Sequence, residues 1–223
     1  HTLYALDDLV SQTDADTDHS NILMGGDGDD TLYGSTGTDF LYGGSGIDTI
    51  NSGSQPNYLF NHILADSPVA YWQLNEIAGT TVNNQGSGSG IDGTYANGPV
   101  LNQGALFVGG VTSVQFDGIN DVITIPDSAL INTGTYDERT VELVFNADTT
   151  AGRQVLWEEG GGTNALTIYI DNGSIYFNAR DAGDWGPFTI NASINAGQTY
   201  HAAIVLDQPN GELRGYLDGN LVG

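Results

Sequence analysis

Three aspartates at nine-residue intervals, Asp30, Asp39 and Asp48, carry the chemistry most readily named in this chain. Each is the sixth residue of a nonapeptide. Gly25-Gly26-Asp27-Gly28-Asp29-Asp30-Thr31-Leu32-Tyr33 and Gly43-Gly44-Ser45-Gly46-Ile47-Asp48-Thr49-Ile50-Asn51 fit the pattern G-G-x-G-x-D-x-U-x at every position, with U a large apolar residue. Gly34-Ser35-Thr36-Gly37-Thr38-Asp39-Phe40-Leu41-Tyr42 lacks only the second glycine. If periods stack, their carboxylates stand one strand spacing apart, about 4.8 Å. A cation midway between two of them has oxygens at roughly 2.4 Å, inside the range of about 2.3–2.6 Å that calcium prefers. Without an ion the two charges repel by roughly 1 kcal/mol in water and about 3–4 kcal/mol at an intermediate dielectric. Calcium turns that repulsion into a cross-link.

The elements that must hold these aspartates follow from the same nine residues. Glycines at positions one, two and four give a turn, because glycine reaches φ > 0 at no steric cost. The last three residues of each period form a short strand with one inward apolar side chain: Leu32, Leu41 and Ile50. Two periods complete one coil, so turns alternate between two sides and each sixth residue stacks on that of the second period onward. Asp30 thereby pairs with Asp48 in one strong site. Asp39 pairs with the equivalent upstream position, nine residues before Asp30, which is Asn21. The stretch Asp16-Thr17-Asp18-His19-Ser20-Asn21-Ile22-Leu23-Met24 keeps the apolar Leu23 but has lost every glycine, so this second site is expected to be weaker. A flexible Gly/Asp-rich linker is the competing reading, and three consecutive near-complete periods argue against it.

This nonapeptide resembles the calcium-binding repeat of RTX (repeat-in-toxin) proteins. The resemblance implies a short parallel β-roll over residues 1–51, with an irregular N-terminal lead-in and Ca2+ as cofactor. It also implies that turn carbonyls supply further ligands, here those of Gly26, Gly28, Gly44 and Gly46.

Composition narrows the class. Among 223 residues there are 28 acidic ones against 4 arginines, with no lysine and a formal net charge of −24. Such a surface repels nucleic acid and anionic membranes, and at low salt it needs bound cations to stay compact. There is no cysteine, so calcium takes the stapling role that disulfides play elsewhere. No apolar run approaches the roughly 20 residues that cross a bilayer, and His1 opens no signal-like segment. RTX-type proteins usually carry their export signal at the far C-terminus, which leads us to expect an excised fragment of a larger secreted protein.

Past Asn51 the texture changes. Residues 52–65 read as a linker holding one short helical turn, from the helix-like spacing of Leu59, Phe60, Ile63 and Leu64. From residue 66 onward short alternating segments are broken by Gly, Asn and Asp. Val141, Leu143 and Phe145 form one apolar face against Thr140, Glu142 and Asn146. Ala165–Ile170 and Ser174–Ala179 flank Asp171-Asn172-Gly173, a strong hairpin signal. Tyr200–Leu206 reads as a central strand. Many short strands without a credible helix argue for an antiparallel sandwich.

Several motifs occur in an order that resembles laminin-G-like, concanavalin A-like jelly-roll domains. They are Leu64-Ala65-Asp66-Ser67-Pro68-Val69-Ala70-Tyr71-Trp72-Gln73-Leu74-Asn75-Glu76, then Ile91-Asp92-Gly93-Thr94-Tyr95, then Phe116-Asp117-Gly118-Ile119-Asn120-Asp121-Val122-Ile123-Thr124-Ile125-Pro126, then Tyr216-Leu217-Asp218-Gly219-Asn220-Leu221-Val222. The resemblance implies an all-β chain in which residues 66–223 form an antiparallel jelly-roll β-sandwich. Ligand sites would lie on loops at one rim or on the concave face. Domains of this type continue for several strands past the last motif, so the sandwich is expected to be C-terminally incomplete.

Catalytic signatures are sparse. Laminarinase-type hydrolases of this fold place E-x-D-x-E or E-x-D-x-x-E on one strand, and no such spacing occurs. Glu158 and Glu159 are adjacent, so on a strand they point to opposite faces, and they read as a solvated strand end. His62 and His201 read as isolated structural residues. Asp117, Asn120 and Asp121, with Glu76 from a neighbouring strand, form a candidate calcium set that competes with a simple tight turn. Trp72 reads as core. Trp157 and Trp185 are candidate ligand contacts: Trp157 is ambiguous between that role and the core, and Trp185, among Gly, Asp and Pro on an apparent loop, is either a ligand contact or a loop anchor packed against the sandwich edge.

Together these readings describe a non-catalytic, calcium-dependent binding or adhesion module of a large secreted bacterial protein, extracellular or at the cell surface. Its expected partner is a glycan or a cell-surface protein, with self-association open, no nucleic acid and no membrane insertion. Two alternatives stand beside it: an accessory module of a secreted hydrolase, and a structural unit of an extracellular filament or surface layer.

Overall fold

The computed structural model describes residues 2–4, 12–13, 22–34, 40–47, 49–51, 63–106, 111–134, 136–161, 163–181 and 185–223. The chain divides into two compact units, the first built on His1–Ser67 and the second on Pro68–Leu106 with Thr112–Gly223.

In the first unit the strands are β1 (Thr2–Tyr4), β2 (Gln12–Thr13), β3 (Ile22–Asp27), β4 (Thr31–Tyr33), β5 (Phe40–Ser45) and β6 (Thr49–Asn51). They form two parallel sheets in the orders β1-β3-β5 and β2-β4-β6. Alternation between sheets is what two nonapeptides per coil require. Ile22 faces Phe40, Gly26 faces Gly44 and Thr31 faces Thr49, a step of 18 residues in each case. Upstream, Thr2 faces Ile22 and Gln12 faces Leu32, a step of 20. The glycine-free lead-in therefore contributes strands too, since a parallel ladder needs only extended backbone.

Leu32 is buried, as the inward position demands, whereas Ile50 is exposed because β6 ends its sheet. The side chain of Leu41 lies outside the described residues. One helical turn at residues 63–65 closes on hydrogen bonds from Asp66 N–H to the Ile63 carbonyl and from Ser67 N–H to that of Leu64. The rest of the expected linker, residues 52–62, lies outside the described residues. Among those described, no helix is long and apolar enough to cross a membrane.

The second unit is antiparallel throughout. It begins with β7 (Thr81–Val82), β8 (Gly93–Ala96), β9 (Val100–Gln103), β10 (Ser113–Gln115) and β11 (Val122–Thr124), in small sheets ordered β11-β8-β7 and β10-β9. Two four-stranded sheets follow. One is ordered β12-β17-β18-β19, from β12 (Glu138–Asn146), β17 (Thr199–Asp207), β18 (Glu212–Leu217) and β19 (Asn220–Leu221). The other runs in sequence order through β13 (Arg153–Gly160), β14 (Asn164–Asp171), β15 (Ser174–Asp181) and β16 (Trp185–Ser193).

Their apolar faces share one core. Phe145, Tyr200, Ala202 and Ile204 from the first sheet join Leu166, Ile168, Ile170, Ile175 and Phe177 from the second. The alternation of Val141, Leu143 and Phe145 thus faces inward as expected, and β17 lies between two neighbours. Asn172 and Gly173 adopt φ of 46° and 90°, the left-handed pair that a two-residue hairpin needs. The last arm, β19, pairs with β18, and Gly215 N–H donates to the Gly223 carbonyl at 2.9 Å.

Candidate functional site

In the roll, the turns of stacked periods lie against one another. Thr49 N–H donates to the Asp30 carbonyl at 2.6 Å, and Ile47 N–H donates to Asp29 Oδ1 at 2.8 Å. Gly46 has φ of +132°, and a Cβ there would lie 2.1 Å from the Gly28 carbonyl oxygen. Only glycine permits that approach, which explains position four of the repeat. Asp30 is 3 % exposed and is the buried charged side chain among the described residues. Burying a carboxylate is costly unless it is hydrogen-bonded or meets a cation.

Among the described residues the turn offers oxygen donors, the buried Asp30 carboxylate and the Gly28 carbonyl beside Gly46, which suit a hard divalent cation such as calcium. Gly26 and Gly44 face each other in the β3–β5 ladder, and Gly28 and Gly46 occupy the stacked turns. Asn21, Asp39 and Asp48 lie outside the described residues. The residues after Asp30 and Asp48 in sequence, Thr31 and Thr49, are direct partners.

In the sandwich the proposed calcium set is split between two networks. Asp117 Oδ1 accepts from the N–H groups of Ile119 (2.8 Å), Asn120 (3.2 Å) and Asp121 (3.3 Å). Asp121 Oδ2 accepts from Asp117 N–H at 2.9 Å. These bonds build the tight turn, and they hold the Asp117 carboxyl below the usual carboxylate range. The carbonyl of Asn120 is taken by Asn97 Nδ2 at 2.6 Å.

Glu76 belongs to another cluster. Its Oε1 accepts from Asn83 N–H at 2.9 Å, and its Oε2 from Tyr95 Oη at 2.8 Å. Burial alone would push Glu76 up, but the bonds from Asn83 and Tyr95 together outweigh it and keep its pKa below the usual range. Burial, then the Glu76 bond, drive the Tyr95 phenol well above its ordinary value. Among the described residues no three His, Asp or Glu side chains converge as a metal group.

Trp72 and Trp157 pack together, and the backbone of Trp185 belongs to a strand. Trp157 sits at a bulge in β13 and packs against the core, its ring 5.8 Å from that of Trp72. Trp72 Nε1 donates to the Ile91 carbonyl at 3.0 Å. Trp185 opens strand β16 opposite Asp181 instead of lying on a loop, and its side chain is outside the described residues.

Two further expectations need correction. Glu159 is not a solvated strand end: it pairs with Arg139 at 2.5 Å, both side chains nearly buried, because Arg139 reaches across from β12. Glu158, one residue earlier, is exposed, as strand alternation requires. His201 is not isolated, since its Nε2 lies 3.3 Å from Glu142 Oε2. His62 is outside the described residues.

A cross-strand pair was missed. The rings of Tyr169 and Tyr176 stack at 5.0 Å and 6°. Each lies three residues from the Asn172-Gly173 turn, so hairpin register alone predicts that they oppose.

Family models match both halves. Residues 16–50 match the RTX calcium-binding nonapeptide repeat, taking in the glycine-free stretch from Asp16. Residues 117–223 match a laminin-G model described as the concanavalin A-like lectin/glucanases superfamily. No curated protein and no solved structure matches the chain. Stacked glycine turns around a buried aspartate, and two packed antiparallel sheets, agree with these matches: the chain carries RTX calcium-binding nonapeptide repeats followed by a concanavalin A-like domain of the laminin-G kind.

Proposed function

We propose that the chain is a non-catalytic, calcium-dependent extracellular binding module that attaches a secreted protein to a glycan or protein ligand. Residues 1–51 serve as the calcium-folded roll, 52–65 as the connector and 66–223 as the ligand-binding sandwich. Asp30 and Asp48, with the carbonyls of Gly26, Gly28, Gly44 and Gly46, hold the stronger ion, and Asp39 with Asn21 the weaker one. The reading is carried by the 18-residue stacking of calcium-binding repeats that a lectin-like fold follows in the sequence. Both families are typical of secreted or surface proteins, and calcium is scarce inside cells but plentiful outside. The roll therefore closes after export, because metal binding and folding are coupled.

The test is a calcium titration followed by circular dichroism and thermal melting, with EGTA as control, then glycan and protein arrays on calcium-saturated protein. A calcium-dependent gain in β-signal with capture on either array supports the reading. A calcium-insensitive fold, or capture on neither array, overturns it.

A further inference from the structure

We infer that Tyr169 and Tyr176 form an oxidative cross-linking site. A one-electron oxidant, of the class of a haem peroxidase with hydrogen peroxide, joins their rings as dityrosine and staples the β14–β15 hairpin. The two residues are direct register partners on adjacent antiparallel strands. Leu166, Ile168 and Ile170 on β14 and Ile175, Phe177 and Ala179 on β15 point into the core. Strand alternation therefore turns both tyrosines outward. Each is half-buried, within reach of a solvent-borne oxidant. Their rings lie 5.0 Å apart and 6° from parallel.

Stacked rings suit the coupling step. Each phenol gives up one electron and its hydroxyl proton, and the odd electron spreads through the π system to the Cε carbons beside the oxygen. A Cε of Tyr169 then bonds to a Cε of Tyr176 through the facing π lobes. Each of these carbons loses its hydrogen, and each phenol oxygen regains one, as the rings return to aromaticity. Hydrogen peroxide takes up the two electrons and two protons and leaves as two waters. The pair thus loses two hydrogens in all and gains one carbon–carbon bond.

The surroundings hold the pair in place. Strand β13 flanks β14 on the side away from β15. From there the Arg153 guanidinium lies 4.6 Å from the Tyr169 ring centre, and Asp171 holds that guanidinium at 2.9 Å. Asn178 Nδ2 donates to Tyr169 Oη at 3.3 Å, which pins the phenol end. Rings held this way meet at an effective concentration far above that of rings on separate molecules. A net charge of −24 keeps separate copies apart as well. The chain has no cysteine, so no thiol of its own quenches a tyrosyl radical and no disulfide staples its strands. Tyr200, by contrast, stacks on Phe145, which has no phenol to oxidise.

Limited oxidation of the calcium-loaded chain by peroxidase and hydrogen peroxide, at low protein concentration, tests this. Trypsin cuts after arginine and the chain has no lysine, so Gln154–Arg180 emerges as one peptide with Tyr169 and Tyr176 as its tyrosines. In mass spectra that peptide should become lighter by two hydrogens, and it should acquire dityrosine fluorescence. The same peptide oxidised after digestion should cross-link about fivefold less, because its rings are no longer held together. Tyr169→Phe and Tyr176→Phe, which keep the rings, should each abolish the mass loss, while Tyr216→Phe should leave it unchanged. No two-hydrogen loss in the folded chain overturns the inference. So does an equal yield from the digested peptide, or a loss that survives Tyr169→Phe or Tyr176→Phe. Fluorescence confined to covalent dimers would place the coupling between copies and overturn it too.

Discussion

Leu32 and Ile50 are direct register partners on adjacent parallel strands, yet Leu32 is 1 % exposed and Ile50 36 %. The same repeat position is thus core in one coil and surface in the next. The difference comes from place in the stack: β4 has strands on both sides and β6 on one. Truncating Leu32 to alanine should destabilise the roll by about 2–5 kcal/mol, as for a buried leucine, and Ile50→Ala by under about 1 kcal/mol. Thermal melts in saturating calcium read both, and equal losses would contradict the stacking order.

Calcium affinity should depend on position within the repeat and not on acidity alone. Asp30 is buried at the turn, at the sixth position, while Asp27 occupies the third. Asp30→Ala should weaken calcium binding far more than Asp27→Ala in calorimetric titrations, although each removes one negative charge. Gly46→Ala offers a check that leaves every carboxylate in place. Its Cβ would collide with the Gly28 carbonyl, so it too should blunt the calcium-induced gain in β-signal. A full response from Gly46→Ala would mean that the turns need not stack.

Legibility in the sequence followed the range of the interaction. The nonapeptide period specified the 18-residue step because each glycine and each inward residue acts within its own coil. Asn172-Gly173 specified its hairpin because the turn chemistry is local. Strands β1 and β2 were not legible, since Thr2–Tyr4 and Gln12–Thr13 carry no turn glycines and pair with residues 20 positions away. Glu159 and Glu76 were misread for a related reason. Arg139 lies on another sheet, and Tyr95 lies 19 residues from Glu76, so no spacing rule announces either contact. For the same reason four oxygen-bearing residues looked like one site, while the fold engages Asp117 and Asp121 in a turn and Glu76 elsewhere.

The Arg139–Glu159 pair ties the two sheets together and should be expensive to break from one side. Arg139 also donates to the carbonyls of Leu130 and Ile131, and its guanidinium lies 3.7 Å from the Tyr136 ring centre, so it anchors the preceding loop as well. Arg139→Ala should cost about 3–5 kcal/mol by stranding a buried carboxylate. Arg139→Met/Glu159→Leu should cost much less than Arg139→Ala alone. Burial already raises the Glu159 pKa against the pull of Arg139. A raised carboxyl favours folding below its unfolded value and loses that contribution as pH rises, so the Arg139→Ala deficit should shrink towards acidic pH. Chemical denaturation at several pH values measures both effects, and a deficit that grows on acidification would reject a stranded charge as the cause.

His201 and Glu142 should give the sandwich a shallow stability maximum in mildly acidic solution. The bond to Glu142 raises His201 above its ordinary value of 6.5, and the same bond holds Glu142 below its ordinary value of 4.5. The raised imidazole contributes stability fully below 6.5 and loses it as pH climbs through the folded value. The lowered carboxyl contributes above 4.5 and loses it as pH falls through its own folded value. Both contributions therefore coexist between those limits. Asp218 adds to the first effect, and Tyr71, which faces Glu142, stays neutral there because burial and that carboxylate raise its phenol. Both partners are roughly half exposed, so the pair is worth under about 1 kcal/mol and weakens with salt. Melting curves of wild type against His201→Gln and Glu142→Gln, each in saturating calcium, isolate this term from the titration of the roll. The wild-type advantage should fade between pH 6.5 and mildly alkaline pH, and it should be the larger against His201→Gln, which also loses the attraction of Asp218. An advantage that persists unchanged into alkaline solution would show that His201 acts through packing and not through its charge.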